Sequence, residues 1–228
     1  MVVTIDGPAG SGKSTTARLV AERLGWLYLD TGAMYRALAL KVLKKGISLE
    51  DAERISQLAK EVKIELVPSP QGLKVFLDGE EVTKEIRTPE VDRAVSPVCE
   101  IKAVRDVLAR LQRKFGEKGD LVTDGRDQGT VVFPDADVKF YLTASLEERA
   151  KRRKKDQEGK GIFLSMEEVI RGIKERDRRD SEREHSPLRP AEDAIVVDTT
   201  HMSIEEQVEY VLTVIRQKRD FSHGTVSQ

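Results

Sequence analysis

The chain has 228 residues, 35% of them charged and 39% hydrophobic, and its 39 basic and 40 acidic side chains leave a net charge of −1. That balance fits a single well-solvated globular domain and argues against a chain that binds nucleic acid or an anionic membrane by charge alone. Cys99 is the only cysteine, which excludes an intramolecular disulfide and a cysteine-based zinc site, and His185, His201 and His223 are scattered and expected at the surface.

Met1 runs directly into Val2-Val3-Thr4-Ile5, a β-branched run that predicts a buried strand ending at Asp6. Neither a signal peptide nor an apolar run near ~18 residues is present, so the chain is expected to be cytoplasmic. Gly7-Pro8-Ala9-Gly10-Ser11-Gly12-Lys13-Ser14 then reads G-x-x-x-x-G-K-S, and Thr15 opens a helix whose apolar positions run to Leu24, with Gly25 placed as its C-terminal cap. Glycines allow backbone N–H groups to turn toward phosphate oxygens, and the helix start adds the positive end of its dipole. Lys13 supplies a point charge for the β- and γ-phosphates, and the Ser14 hydroxyl suits Mg²⁺. A glycine-rich surface turn would match these four fixed positions by chance about 1% of the time in a chain of this length. With strand, loop and helix in immediate succession, the stretch predicts a nucleoside triphosphate site.

Trp26 to Leu29 predicts a second strand, followed by Asp30-Thr31-Gly32 with Thr31 placed as a helix N-cap. Ligands bind at such strand ends in open α/β sheets, although a cap and tight turn explain the tripeptide equally well. Arg36 is harder to dismiss, because it falls in an otherwise apolar helix and should meet an acidic residue or a ligand. Val62 to Val67, Leu73 to Leu77 and Glu80 to Val82 predict a small antiparallel insertion, with turns at Pro68-Ser69-Pro70-Gln71-Gly72 and Asp78-Gly79.

Thr88-Pro89-Glu90 opens a helix that Pro97 is expected to break, and Ile101 to Phe115 forms the next. Leu121 to Asp124, Val138 to Leu142 and Ala194 to Asp198 complete the strands, with helices over Leu146 to Lys154, Met166 to Glu184 and Ile204 to Lys218. The alternation predicts an α/β fold of the P-loop NTPase kind: a five-stranded parallel sheet with helices on both faces, plus the antiparallel β insertion. In segments, the reading is one domain over 1–228. Its core is 1–61 and 86–219, the insertion about 62–85, a lid about 154–164 and a polar tail 220–228.

Asp124-Gly125-Arg126-Asp127 follows the third strand, so Asp124 is placed to back Mg²⁺, with a loop ion pair as the plain alternative. Arg176, Asp180 and Arg183 share one helix face, where a solvated salt-bridge ladder is the ordinary meaning. Arg149, Arg152 and Arg153 belong to a basic run leading into Gly159-Lys160-Gly161, which suits either a nucleic-acid patch or a lid that brings charge to a triphosphate.

Taken together, Thr4-Ile5-Asp6-Gly7-Pro8, Asp30 to Arg36, Glu85-Ile86-Arg87-Thr88, Asp124 to Asp127, Gly129 to Ala136, Glu175-Arg176-Asp177 and Asp180 to Arg183 resemble the bacterial cytidylate kinases, a branch of the nucleoside monophosphate kinase family. The resemblance runs from Ile5 to about Val214, and the antiparallel insertion is similar to the extra sheet of that branch. It implies ATP-dependent phosphorylation of CMP, and of dCMP, by in-line transfer with Mg²⁺. Thr31, Asp127 and Arg176 would contact sugar and phosphate, Arg36, Ser96 and Arg105 would read the base, and Arg176, Asp180 and Arg183 would lie under the acceptor. Lys13, Arg126, Asp127 and Arg176 would be catalytic, Gly7 to Thr15 would hold ATP, and Arg149, Arg152 and Arg153 would serve the lid. Gln128 departs from the apolar residue expected there. The implied partners are ATP and CMP or dCMP, with no nucleic acid, no membrane and a monomeric chain. A GTP-driven switch is disfavoured, since neither Asp-x-x-Gly after the third strand nor an Asn/Thr-Lys-x-Asp guanine reader occurs.

Overall fold

The structure is a computed structural model that describes residues 1–69, 72–159 and 161–224, with side chains to Asp220. Pro70 and Gln71 of the expected turn, Lys160 of the expected lid and residues 225–228 of the expected tail lie outside the described residues. The chain divides into two compact units. One comprises residues 1–28, 119–182 and 186–228, the other residues 29–118 and 183–185.

The first unit is built on β1 (Val2–Asp6). Val3 and Ile5 on one face and Thr4 and Asp6 on the other are all buried, as in a strand covered on both sides. β1 pairs in parallel with β6 (Leu121–Gly125) on one side and with β7 (Val138–Thr143) on the other. The sheet runs β2-β6-β1-β7-β8, with β2 at Leu27–Asp30 and β8 at Ile195–Asp198. Parallel neighbours need long crossovers, and the helices supply them. α1 (Lys13–Leu24) and α8 (Ile204–Gly224) cover the sheet through Ala17, Val20, Val208, Val211, Leu212 and Ile215, packed with Val3, Ile5, Phe140 and Leu142. α6 (Leu146–Glu158) and α7 (Met166–Glu182) join through a smaller cluster of Ala150, Val169 and Ile173.

The second unit holds α2 (Thr31–Lys44), α3 (Ala52–Glu61), the antiparallel strands β3 (Ile64–Ser69), β4 (Gly72–Leu77) and β5 (Glu80–Glu81), then α4 (Pro89–Glu100) and α5 (Lys102–Gly116). Asp78 and Gly79 have φ of 51° and 90°, the left-handed pair that a two-residue hairpin turn needs between β4 and β5.

The fold matches the predicted class, with local differences. α4 continues through Pro97, because Val95 and Val98 are buried and proline's fixed φ is itself helical; only one ladder bond is lost. Asp30 rather than Thr31 caps α2, its carboxylate accepting from the Ala33 N–H at 2.9 Å, and Thr31 is the first helical residue. α6 extends past Lys154 to Glu158, and α8 past Lys218 to Gly224. α7 ends at Glu182, since the Leu188 N–H returns to the Asp180 carbonyl at 2.7 Å. Arg183 therefore lies beyond the helix and does not extend the Arg176–Asp180 face. Among the described residues, no helix is long and apolar enough to cross a membrane. His201 is exposed and His185 half-buried, while the His223 side chain is outside the described set.

Candidate active site

In the first unit the loop between β1 and α1 is held from every side. A side chain at Gly7 would place its Cβ 2.1 Å from the Leu142 carbonyl oxygen, so only glycine permits this approach to β7. Gly12, at φ 92°, leads the chain into α1. The Ser11 carbonyl accepts from Thr199 Oγ1 at 2.9 Å, the Ala9 carbonyl from Arg149 Nη1 at 3.2 Å, and Gln207 Oε1 from Thr16 Oγ1 at 3.0 Å. Strand β7, helix α6 and helix α8 thus fix the backbone that a phosphate would meet.

Lys13 is 7% exposed and donates to the Pro8 carbonyl at 3.1 Å. Burial, together with Arg126 and Arg176 and against the pull of Asp124 and Asp180, brings its ammonium down to about 7. Anionic phosphates at the loop would restore the charge. Ser14 is exposed, and its Oγ donates to Asp124 Oδ2 at 2.5 Å; Asp124 Oδ1 accepts from Tyr28 OH at 2.8 Å. Two hard oxygen ligands side by side at the helix start fit Mg²⁺ held jointly with phosphates.

A second group of charges lies beyond β6. Arg126 Nε donates to Asp180 Oδ2 at 2.7 Å, with Arg176 Nε 4.0 Å from the same oxygen. Burial pulls the Arg126 proton affinity down, but the Asp180 carboxylate outweighs it and the net shift is upward. Arg149 meets Asp177 Oδ2 at 2.6 Å. α7 carries two sets of charges on different sides of the helix. Arg176, Asp177 and Asp180 form the charged inner face, while Glu175, Arg178, Arg179 and Glu182 make an outer ladder at 2.8–3.1 Å. Arg152, on α6, donates to Glu148 and to the Thr199 carbonyl, and Arg153 is half-buried on the same helix.

Asp127 is buried at the head of a π-helical turn, Gln128–Val132, and its carbonyl accepts from both Val131 and Val132. Gln128 explains its own departure from an apolar residue: it is buried, but its Oε1 accepts from Thr123 Oγ1 at 3.0 Å.

In the second unit Arg36 has the acidic partner its burial required, pairing with Asp92 and donating to the Ile86 carbonyl at 3.3 Å. Arg105 is buried on α5, donates to the Cys99 carbonyl at 3.0 Å and lies 5.4 Å from the centroid of the Tyr35 ring. Thr31 is buried at the start of α2, and Ser96 is half-buried on α4.

The cytidylate kinase family model matches residues 3–217, spanning both units. The chain belongs to the cytidylate kinase family. It is 50% identical over 220 residues to a cytidylate kinase of Carboxydothermus hydrogenoformans, covering 96% of this chain and 99% of that one. To a cytidylate kinase of Bacillus subtilis it is 47% identical over 216 residues, covering 95% and 96%. An uncharacterized protein from Eubacterium ventriosum, known from its crystal structure, shares the fold at 13% identity with a TM-score of 0.50, over 95% of this chain and 98% of that one.

For this member of the cytidylate kinase family, sequence patterns missed Asp6, Tyr28, Asp92, Asp177, Thr199 and Gln207. Each acts on a residue distant in sequence; Asp6, as a charge closing a strand, and Asp177, inside a motif of the resemblance, carried a hint but no role.

Proposed function

We propose that this chain transfers the γ-phosphoryl group of ATP to the phosphate of CMP, and of dCMP, giving the diphosphates. The observation that carries the reading is the cation set around the phosphate loop, in a chain of this family: buried Lys13, held by the Pro8 carbonyl, with Arg149 and half-buried Arg126 already paired to Asp177 and Asp180. The loop N–H groups and Lys13 hold the triphosphate. Arg126 and Arg176 hold the acceptor phosphate, with Thr31 and Asp127 at the sugar, Asp180 keeping Arg126 in place and Arg183 under the acceptor. Arg36, Ser96 and Arg105 act on the cytosine base.

The attacking oxygen is already anionic, so no general base is needed; the work lies in aligning two mutually repelling anions and neutralising charge. Mg²⁺ at Ser14, backed by Asp124, would offset part of the triphosphate charge. Arg149, Arg152 and Arg153, on the helix that leads into the expected lid, would add positive charge near the donor, Arg149 and Arg152 already donating to loop carbonyls. The same reading makes the chain a cytoplasmic monomer, both units one kinase domain, with no nucleic-acid or membrane partner.

A coupled assay of ADP release over a panel of nucleoside monophosphates tests it. CMP and dCMP should stimulate ATP turnover above all others. Turnover that is indifferent to the base would remove the acceptor assignment.

A further inference from the structure

Asp6 is a buried carboxylate to which the reading above gives no task. It closes β1 immediately before Gly7 and is 4% exposed. Its two oxygens are both engaged, and by consecutive residues: Oδ1 accepts from the Gln128 N–H at 3.0 Å, and Oδ2 from the Gly129 N–H at 2.8 Å. These open the π-helical turn that directly follows Arg126 and Asp127. On the other side of that dipeptide, Gly125 is the β-sheet partner of Asp6 itself. Arg126-Asp127 is therefore bracketed by one residue, through its backbone pairing at Gly125 and its side chain at 128–129.

A carboxylate is the side chain suited to this task, because two consecutive N–H groups need two acceptors in one plane. An asparagine would offer one oxygen and turn an NH₂ against the second N–H. Burial pushes the Asp6 carboxyl up to about 7, against the opposing pull of the two N–H bonds. Asp127 adds to the upward shift and Arg126 opposes it. The site also has no slack, since a Cβ on Gly129 would meet Thr4 Oγ1 at 2.9 Å and the Lys139 side chain at 3.2 Å.

We propose that Asp6 is a positioning residue for the acceptor: it ties the Arg126-Asp127 dipeptide to the strand that carries the phosphate loop. The inference rests on the assignment of Arg126 and Asp127 to the acceptor nucleotide, Arg126 at its phosphate and Asp127 at its sugar. It distinguishes two ends of one residue, the main chain leading to the donor loop and the carboxylate setting the acceptor contacts.

The test compares Asp6→Asn, Asp127→Asn and the double variant in steady-state kinetics with CMP and ATP varied separately, beside thermal unfolding. Asp6→Asn should lower kcat/KM for CMP by at least about tenfold, the scale of one hydrogen bond to a charged group, and leave KM for ATP within about twofold. The double variant should lose no more than Asp127→Asn alone, because Asp6 acts through that dipeptide. Equal losses toward both substrates, or losses that add in the double variant, would overturn the proposal and leave Asp6 a scaffold residue. If Asp127→Asn itself has normal CMP kinetics, the acceptor assignment fails instead. Should Asp6→Asn not fold, hydrogen exchange of the wild-type amides decides: CMP must slow Gln128 and Gly129, and indifference to CMP would sink the role.

Discussion

The two units seat their arginines in different ways. In the first, Arg126, Arg149 and Arg152 meet Asp180, Asp177 and Glu148 at 2.7, 2.6 and 2.9 Å. In the second, Arg105 is seated against the Cys99 carbonyl and the Tyr35 ring, and Arg36 is shared between the Ile86 carbonyl and Asp92. A carboxylate partner holds a guanidinium before any anion arrives, so positive charge is preorganised and costs no reorganisation during transfer. A carbonyl and a ring hold Arg105 by direction and shape, which is what telling one base from another requires, and Arg36 adds a carbonyl to its carboxylate partner. Damage in the first unit should depress transfer to every acceptor, whereas damage in the second should change which acceptor is preferred.

The largest effect should come from Lys13→Met, a loss of at least ~10²-fold in kcat with CMP and UMP alike, by analogy with removing one preorganised donor. Thermal unfolding should be nearly unchanged or slightly raised, since the substitution removes a buried ammonium. Near-normal kcat would break the donor-site reading outright. Next comes Arg176→Ala, with roughly tenfold lower kcat/KM on both pyrimidines and a stability change of no more than about 0.5 kcal/mol, because its 4.0 Å pairing to Asp180 is loose. The same substitution at Arg178, on the outer ladder, is the internal control and should leave activity unaltered. Intact activity in Arg176→Ala would return both faces of α7 to a purely structural role.

The smallest effect sharpens the comparison most. Arginine only donates, so Arg105 or Arg36 aimed at N3 suits cytosine, which accepts there, and opposes uracil, which carries a proton. Each unpaired buried group costs about 1–3 kcal/mol, enough in combination for a CMP preference of roughly 10²-fold. Arg105→Met should narrow the CMP/UMP ratio of kcat/KM by several-fold, on the order of one such mismatch. Ser96→Ala should narrow it less, as water readily replaces a rotatable hydroxyl. Equal losses on the two substrates would mean that base selection lies elsewhere.

Local patterns made the scaffold legible. The glycine loop between a β-branched strand and a helix, and the Asp78-Gly79 turn, are set by backbone conformations that few residues adopt, so residue type alone betrays them. Pro97 misleads for the opposite reason: the local preference is real, but the buried faces of Val95 and Val98 override it. Arg176 and Asp180 could be placed together from their spacing, yet nothing in spacing shows that Leu188 turns the chain back before Arg183. The supports of the loop were least visible. Asp6 with Gln128, Thr199 with Ser11 and Gln207 with Thr16 join residues 122, 188 and 191 positions apart, beyond any periodicity.

The place of β1 in its sheet also bears on how the chain comes off the ribosome. Of the strands in this sheet, the earliest to be made is the central one, and both of its neighbours lie beyond residue 120, the second ending at Thr143. At a synthesis rate of ~5–20 residues per second, Val2–Asp6 must wait roughly 7 to 27 seconds for its partners. The hairpin of the second unit needs no such wait, since β3 and β4 are neighbours in time as well as in space. For that interval a short strand destined for burial on both faces, next to the phosphate loop, is left unpaired in the nascent chain. It is the segment on which a holding chaperone would act, and slower translation of residues 7–120 should raise aggregation before it lowers activity.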